Sequence, residues 1–284
     1  MTARRTIARE VAAEGIALHA GTQVRMTLAP AKPGTGVVFR RSDLNNAEVA
    51  ARYDAVCETN LGTVLAAKNV KIGVVEHLMA AVAGAGIDDL IVILDGPEPP
   101  ILDGDALSYL VLLDKAGVRD LAMPRTAIKV LQRVEVTHKD AFAALSPADA
   151  LSYDFEIAFA SAAIGRQSFS FPFSPEGFRR QIAPARTFGN VAELETLKRM
   201  DRGHGASLEN TLAIDGDRVV NAALMRFPDE FVRHKILDAI GDMALAGAPL
   251  IARFEGVRSG HALNNALLHA LFADPDNYRM ISLS

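Results

Sequence analysis

Cysteine occurs once in the 284 residues, as Cys57. An intramolecular disulfide is therefore excluded, and the scarcity fits a reducing compartment. Basic charge is not in excess either. The net charge is −4, so the chain lacks the electrostatic footprint of a nucleic-acid-binding protein. No apolar run approaches the ~18 residues of a membrane-spanning helix. The opening residues, Met1-Thr-Ala-Arg-Arg-Thr-Ile-Ala-Arg-Glu10, lack the apolar stretch of a signal peptide. These absences lead us to expect a cytoplasmic protein, and separately we expect a monomer. Three catalytic signatures are also missing: a Walker phosphate loop, a Gly-x-Ser-x-Gly elbow and a His-Glu-x-x-His metal motif. Gly84-Ala-Gly86 follows a helical pattern instead of a strand, so it is no dinucleotide fingerprint.

What is present is the balance of a globular protein. Half the residues are apolar and 23% are charged, enough for one large domain or two of ordinary size. The clearest break is Ala122-Met-Pro-Arg-Thr126, which separates a helical run at 107–116 from a β-branched run at 127–136. It predicts two domains, 1–122 and 127–284, the second with an insert near 188–215.

The same order of elements recurs in both. Helix is expected at 75–83 and 105–116, around a buried strand at 90–94. In the second part helix is expected at 229–245 and 261–272, around a strand at 250–257 that follows Pro249. Strand-like stretches precede each set, at 24–28 and 36–40, then at 151–159 and 168–171. The segments 95–100 and 102–105 read as turns. The fold class is therefore α+β: two βα sandwich domains related by a pseudo-repeat. Each has a mainly antiparallel sheet covered by two helices, with the active site at the seam.

The chemistry concentrates in three places. Arg233-His-Lys-Ile-Leu-Asp-Ala-Ile-Gly-Asp242 puts His234, Asp238 and Asp242 on one helical stripe, four residues apart. Taken alone, that stripe is also what a solvated polar face looks like. Glu76-His77 opens a helix that is apolar all round, where a satisfied helix-start carboxylate and a core histidine are the bland alternative. The repeat places these two helices in corresponding positions. If they meet at the seam, His77, His234 and Asp238 form a three-ligand zinc set with a position left for water. Glu76 is then placed to take that water's proton. The third place is Ser259-Gly-His-Ala-Leu-Asn-Asn265, where His261 could protonate a leaving amine with Asp242 holding its ring. A helix-cap histidine is the alternative there.

These residues bring the chain to a resemblance. Over nearly its whole length it resembles the zinc-dependent UDP-3-O-acyl-N-acetylglucosamine deacetylases of lipid A biosynthesis. The motifs are Gly15-Ile-Ala-Leu-His-Ala-Gly21, Phe39-Arg-Arg-Ser-Asp-Leu44, Val75-Glu-His-Leu-Met-Ala-Ala81 and Asp95-Gly-Pro-Glu-Pro-Pro-Ile-Leu-Asp-Gly104. They continue with Ala185-Arg-Thr-Phe-Gly189, the stretch from Asp229 to Asp242, and Ser259 to Asn265. The resemblance implies one Zn²⁺ (or Fe²⁺) on His77, His234 and Asp238, Glu76 as base, and His261 backed by Asp242 as acid. It implies that Lys235 and Thr187 hold substrate and steady the oxyanion. Leu18, His19 and Phe188 would be further substrate contacts. The substrate implied is an acylated nucleotide sugar, deacetylated at its 2-acetamido group.

The chain also departs from the family's pattern. The usual Gly-Leu-His-Ser-Gly is Ala17-Leu-His-Ala-Gly21, and Leu-Cys-Thr is Leu61-Gly-Thr63. Gly-Asp-Lys-Trp is Lys139-Asp-Ala-Phe142, a His-Pro pair is Ser161-Ala162, and an aromatic is Asn190. The stretch that in the family lines an apolar passage for the acyl chain reads Asp201-Arg-Gly-His-Gly-Ala-Ser-Leu-Glu-Asn210. Asp201, Arg202 and His204 are expected to make such a passage expensive to dry. That expectation favours either a divergently placed acyl chain or a paralogue acting on another acylated or N-acetylated sugar.

Overall fold

A computed structural model of the chain describes residues 2–283. Its α-helices are α1 (Glu76–Gly84), α2 (Leu107–Ala116), α3 (Pro175–Gly177), α4 (Leu194–Arg199), α5 (Glu230–Ala244) and α6 (His261–Ala273). Two five-stranded sheets dominate. The first has the order Val11–Ile16, Gln23–Pro30, Leu90–Leu94, Val37–Arg41, Ala47–Ala50. The second has Val134–His138, Ala141–Ser146, Arg253–Val257, Ser152–Ala158, Arg166–Pro172. Each is two hairpins separated by a strand that arrives last in the chain. In each, that late strand is antiparallel to one hairpin and parallel to the other. The expected repeat is thus present in the topology, and the fold is α+β with mainly antiparallel sheets.

The central strand of the first sheet, Leu90-Ile-Val-Ile-Leu94, shows why the sequence folds this way. Its β-branched residues suit an extended chain, and Leu90, Val92 and Leu94 are fully buried on one face. Burying each such side chain contributes about 1.5–3 kcal/mol.

Helices fill the space beside the sheets. α2 packs on Val11–Ile16, α5 on the hairpin Ser152–Ala158/Arg166–Pro172, and α6 on Val134–His138 and Ala141–Ser146. α1 and α5 pack directly on each other. Gly241 makes that close crossing possible: a Cβ there would overlap the Glu76 carbonyl oxygen. The two helices therefore touch at the residues that carry the chemistry.

Three local expectations change. The stretch 250–257 is two strands, Leu250–Ile251 and Arg253–Val257, and they serve different sheets. Leu250–Ile251 pairs in parallel with Thr126–Val130, so the chain must turn at Ala252 to reach the second large sheet. The run 127–136 likewise divides into Thr126–Val130 and Val134–His138. Finally, most of the stretch 122–126 is strand: Val118–Pro124 pairs with Ala3–Ile7, and only Arg125 separates it from Thr126–Val130. Two smaller three-stranded sheets flank the helix crossing. One is Val56–Glu58, Val64–Ala67 and Val70–Ile72; the other is Phe188–Asn190, Leu212–Asp215 and Arg218–Val219. The second lies in the expected insert near 188–215, and the first was not foreseen.

Candidate active site

α1 brings Glu76 and His77 to its first turn. The preceding backbone is held in a costly form. Val74 is β-branched yet sits at φ 53°, and Leu61 across the pocket sits at φ 64°. Such conformations cost of order 1–3 kcal/mol each and persist where the surroundings over-determine them. α5 presents His234, Asp238 and Asp242 on successive turns. The stripe is not solvated: their exposures are 3%, 4% and 2%. Its apolar flank, Val232, Ile236, Leu237, Ile240 and Met243, is buried too. A helix buried on both faces must satisfy its polar stripe inside the protein.

His77, His234 and Asp238 converge so that one ligand atom from each lies within 4.8 Å of the others. The Nε2 atoms of His77 and His234 are 3.6 Å and 3.4 Å from Asp238 Oδ1. The two rings stand nearly perpendicular, 4.9 Å apart. Asp238 Oδ1 is buried and has no hydrogen-bond partner. His234 Nδ1 donates to the Ala185 carbonyl at 3.1 Å, which leaves its Nε2 with a lone pair aimed at the cluster. Burial holds the His234 imidazole neutral, with its pKa pushed down to about 3. Burial would raise the Asp238 pKa, but Lys235 and the neighbouring histidines outweigh it and hold this carboxyl well below the usual range. Lys235 Nζ donates to Oδ2 at 2.7 Å, leaving Oδ1 for the cluster. A carboxylate oxygen and imidazole lone pairs converging without a donor are a donor set for a divalent metal such as zinc.

Glu76 and His261 stand beside this cluster, Oε1 and Nε2 being 3.8 Å apart. Burial raises the Glu76 pKa. Its Oε2 accepts from the Thr63 amide at 3.0 Å. Gly62 supplies the room: at φ 149°, a Cβ there would come within 3.0 Å of Glu76 Oε1. His261 Nδ1 meets Asp242 Oδ2 at 2.9 Å. Burial works against the imidazolium, but Asp242 and Glu76 together outweigh it and raise the pKa to about 9. Asp242 itself accepts from Thr63 Oγ1 at 2.6 Å and Asn264 Nδ2 at 2.8 Å, and Asn264 accepts from Ser259 Oγ at 2.7 Å.

These groups open into a pocket of about 470 Å³. Its walls include Leu18, His19, Thr187, Phe188 and Lys235, along with Glu76, both metal-set histidines, Asp238 and His261. Every residue expected to bind metal, substrate or protons therefore lines one pocket, except Asp242, which stands behind His261. His19 borders it with both ring nitrogens engaged. Nδ1 accepts from the Gly203 amide at 3.3 Å, so Nε2 donates to the Leu61 carbonyl at 3.0 Å. Thr63, Asn264 and Ser259 were missed as site residues. Thr63 lay in a segment read only for its departure from a pattern.

The expectation about Asp201, Arg202 and His204 is overturned. None of the three lines the pocket. Arg202 turns to Glu58 at 2.5 Å, and His204 pairs at 2.9 Å with Asp201, whose side chain is 98% exposed. The wall they were expected to charge is formed instead by Leu194, Leu197, Ala206 and Leu208, with Val191 and Phe159 adjoining. With these three side chains paired outside the pocket, this part of its wall is mainly apolar.

Known proteins are similar to this chain over nearly its whole length. The family model described as LpxC, UDP-3-O-acyl N-acetylglycosamine deacetylase, matches residues 4–273. A UDP-3-O-acyl-N-acetylglucosamine deacetylase from Phenylobacterium zucineum is 48% identical over 269 residues, covering 94% of this chain and 92% of the relative. One from Myxococcus xanthus is 43% identical over 279 residues, covering 98% and 89%. One from a Nitratiruptor species is 41% identical over 281 residues, covering 99% and 94%. With matches of this extent, the chain belongs to the UDP-3-O-acyl N-acetylglycosamine deacetylase family.

Proposed function

We propose that this enzyme hydrolyses the 2-acetamido group of UDP-3-O-acyl-N-acetylglucosamine, giving the free amine and acetate, as a step of lipid A biosynthesis. The relatives' names support the substrate and the reaction. The observation that carries the mechanism is the buried His77, His234 and Asp238 set, with Asp238 Oδ1 unpartnered beside Glu76 and His261. One Zn²⁺ is the metal we assign to it, with Fe²⁺ compatible with the same donors. When bound, the metal supplies Lewis acidity toward a water and the amide carbonyl.

The chain's own residues do the rest. Glu76 takes the proton of the attacking water through Oε1, its Oε2 being held by the Thr63 amide. His261, kept cationic by Asp242, gives a proton from Nε2 to the departing nitrogen. Lys235 and Thr187 donate toward the oxyanion from the pocket wall, and donors of this kind are worth about 10²–10³ in rate. Leu18, His19 and Phe188 border the bound sugar, and the apolar wall of Leu194, Leu197, Ala206 and Leu208 suits the acyl chain. The reading takes residues 1–122 and 127–284 as the two domains and the cytoplasm as the compartment, in keeping with the lone Cys57.

The test is direct. Purified protein should contain one equivalent of zinc by elemental analysis. It should release acetate from UDP-3-O-acyl-N-acetylglucosamine much faster than from UDP-N-acetylglucosamine. Protein that takes up no metal, or that turns over neither compound, would refute the proposal.

A further inference from the structure

We infer that Thr63 is a positioning residue that holds the proton acceptor and the proton donor of this reaction in one register. The inference rests on the deacetylase reading above. Thr63 is 1% exposed and lies where the chain enters strand Val64–Ala67, in the small sheet flanking the helix crossing. Its three polar atoms reach three different parts of the site. The amide donates to Glu76 Oε2 at 3.0 Å. The hydroxyl donates to Asp242 Oδ1 at 2.6 Å. The carbonyl accepts from Val75 N at 3.4 Å, at the entry to α1.

The amide bond decides which oxygen of Glu76 works. With Oε2 engaged, Oε1 is the oxygen that faces His261, at 3.8 Å. The hydroxyl bond decides how Asp242 presents itself. Oδ2 is already shared by His261 Nδ1 and Asn264 Nδ2, and both of those come from the same helix, α6. Two donors on Oδ2, both from α6, restrain the carboxylate from one side only and leave Oδ1 some freedom to swing. A short hydroxyl bond on Oδ1, from the other half of the molecule, removes that freedom. It thereby sets the plane in which His261 is held. An outer partner of this kind typically accounts for about 10–100-fold in activity.

Thr63→Val removes the hydroxyl, keeps the amide and conserves the shape. In the zinc-loaded enzyme it should lower kcat about 10–100-fold while KM for the acylated substrate stays within about twofold. Zinc content and melting temperature should be unchanged. Thr63→Ser should restore most of the rate. In an Asp242→Ala background, Thr63→Val should add little further loss. A wild-type kcat in Thr63→Val, a loss confined to KM, a parallel loss of zinc, or a Thr63→Ser enzyme as slow as Thr63→Val would each overturn the inference.

A second readout does not depend on turnover. In the protein as isolated, the His261 Nδ1 proton should give a protected downfield resonance from its bond to Asp242. That signal should exchange faster in Thr63→Val and be preserved in Thr63→Ser. No change in Thr63→Val would overturn the positioning role even if the substrate assignment were wrong. An inactive wild type with the expected resonance behaviour would defeat the deacetylase reading and leave Thr63 as the tether of the His261–Asp242 pair.

Discussion

The two large sheets share one topology, yet the helices beside them share little chemistry. α1 is nine residues long, nearly all buried, and spends its polarity in the first turn, on Glu76 and His77. α5 is fifteen residues long and carries His234, Asp238 and Asp242 on successive turns. In the proposed mechanism one half contributes the base and a single member of the metal set, and the other contributes two members, the acid His261 and the carboxylate that orients it. Neither helix carries a complete site. A repeated fold therefore did not repeat its function: it placed two different helix faces against each other, and the site exists only where they cross.

The comparison breaks first if one half can bind metal alone. Removing a member of the set from either half, by His77→Ala or Asp238→Ala, should abolish zinc retention and turnover together. Retained stoichiometric zinc in either variant, read by elemental analysis, would show that the halves are not interdependent.

Glu76→Gln sharpens the division of labour. It should keep the metal and lower kcat by about 10²–10⁴, the usual worth of a positioned base. A near-wild-type rate would remove Glu76 from that role.

Asp242→Asn tests the other half. His261 is raised from 6.5 to about 9, so the imidazolium–Asp242 pair stabilises the fold fully below about pH 6.5 and that contribution is lost as pH rises to about 9. In metal-free Asp242→Asn, the His261 pKa followed by NMR should fall clearly below 9. A value still near 9 would mean that Asp242 is not what charges this histidine.

The crossing itself is probed by Gly241→Ala. The new Cβ runs into the Glu76 carbonyl, so the helices must part, at a cost of about 1–3 kcal/mol in a melting experiment. An unchanged melting temperature would mean that the crossing is slack.

The smallest effect is expected at the surface. Arg202→Ala removes an ion pair with Glu58 outside the pocket, so stability should change by less than about 1 kcal/mol and KM for the acylated substrate by less than about twofold. A large rise in KM would bring Arg202 back into the passage.

How far the sequence reached varied with the physics involved. The main helices and the central strand of the first sheet were legible to within about two residues, because apolar patterning is written locally, as in Leu90–Leu94 and the flank of α5. The family motifs likewise marked Glu76, His77, His234, Asp238 and His261. The stripe on α5 was ambiguous, because a polar face toward solvent and one toward a metal read the same. Its burial excludes the solvated face. The break at Ala252 was hidden because a strand that changes sheets keeps the composition of one that does not. The charges of Asp201, Arg202 and His204 misled because composition does not tell which way a loop side chain points.

What the sequence determined by itself was the set of chemical groups and the two helices that carry most of them. Local spacing encodes which residues share a helix face. The tertiary structure decided which groups meet: Thr63 with Asp242 across 179 positions, His77 with Asp238, and an apolar wall in place of a charged one. The reason is that a site of this kind is assembled by long-range packing, and packing is settled by the whole core and not by any one segment.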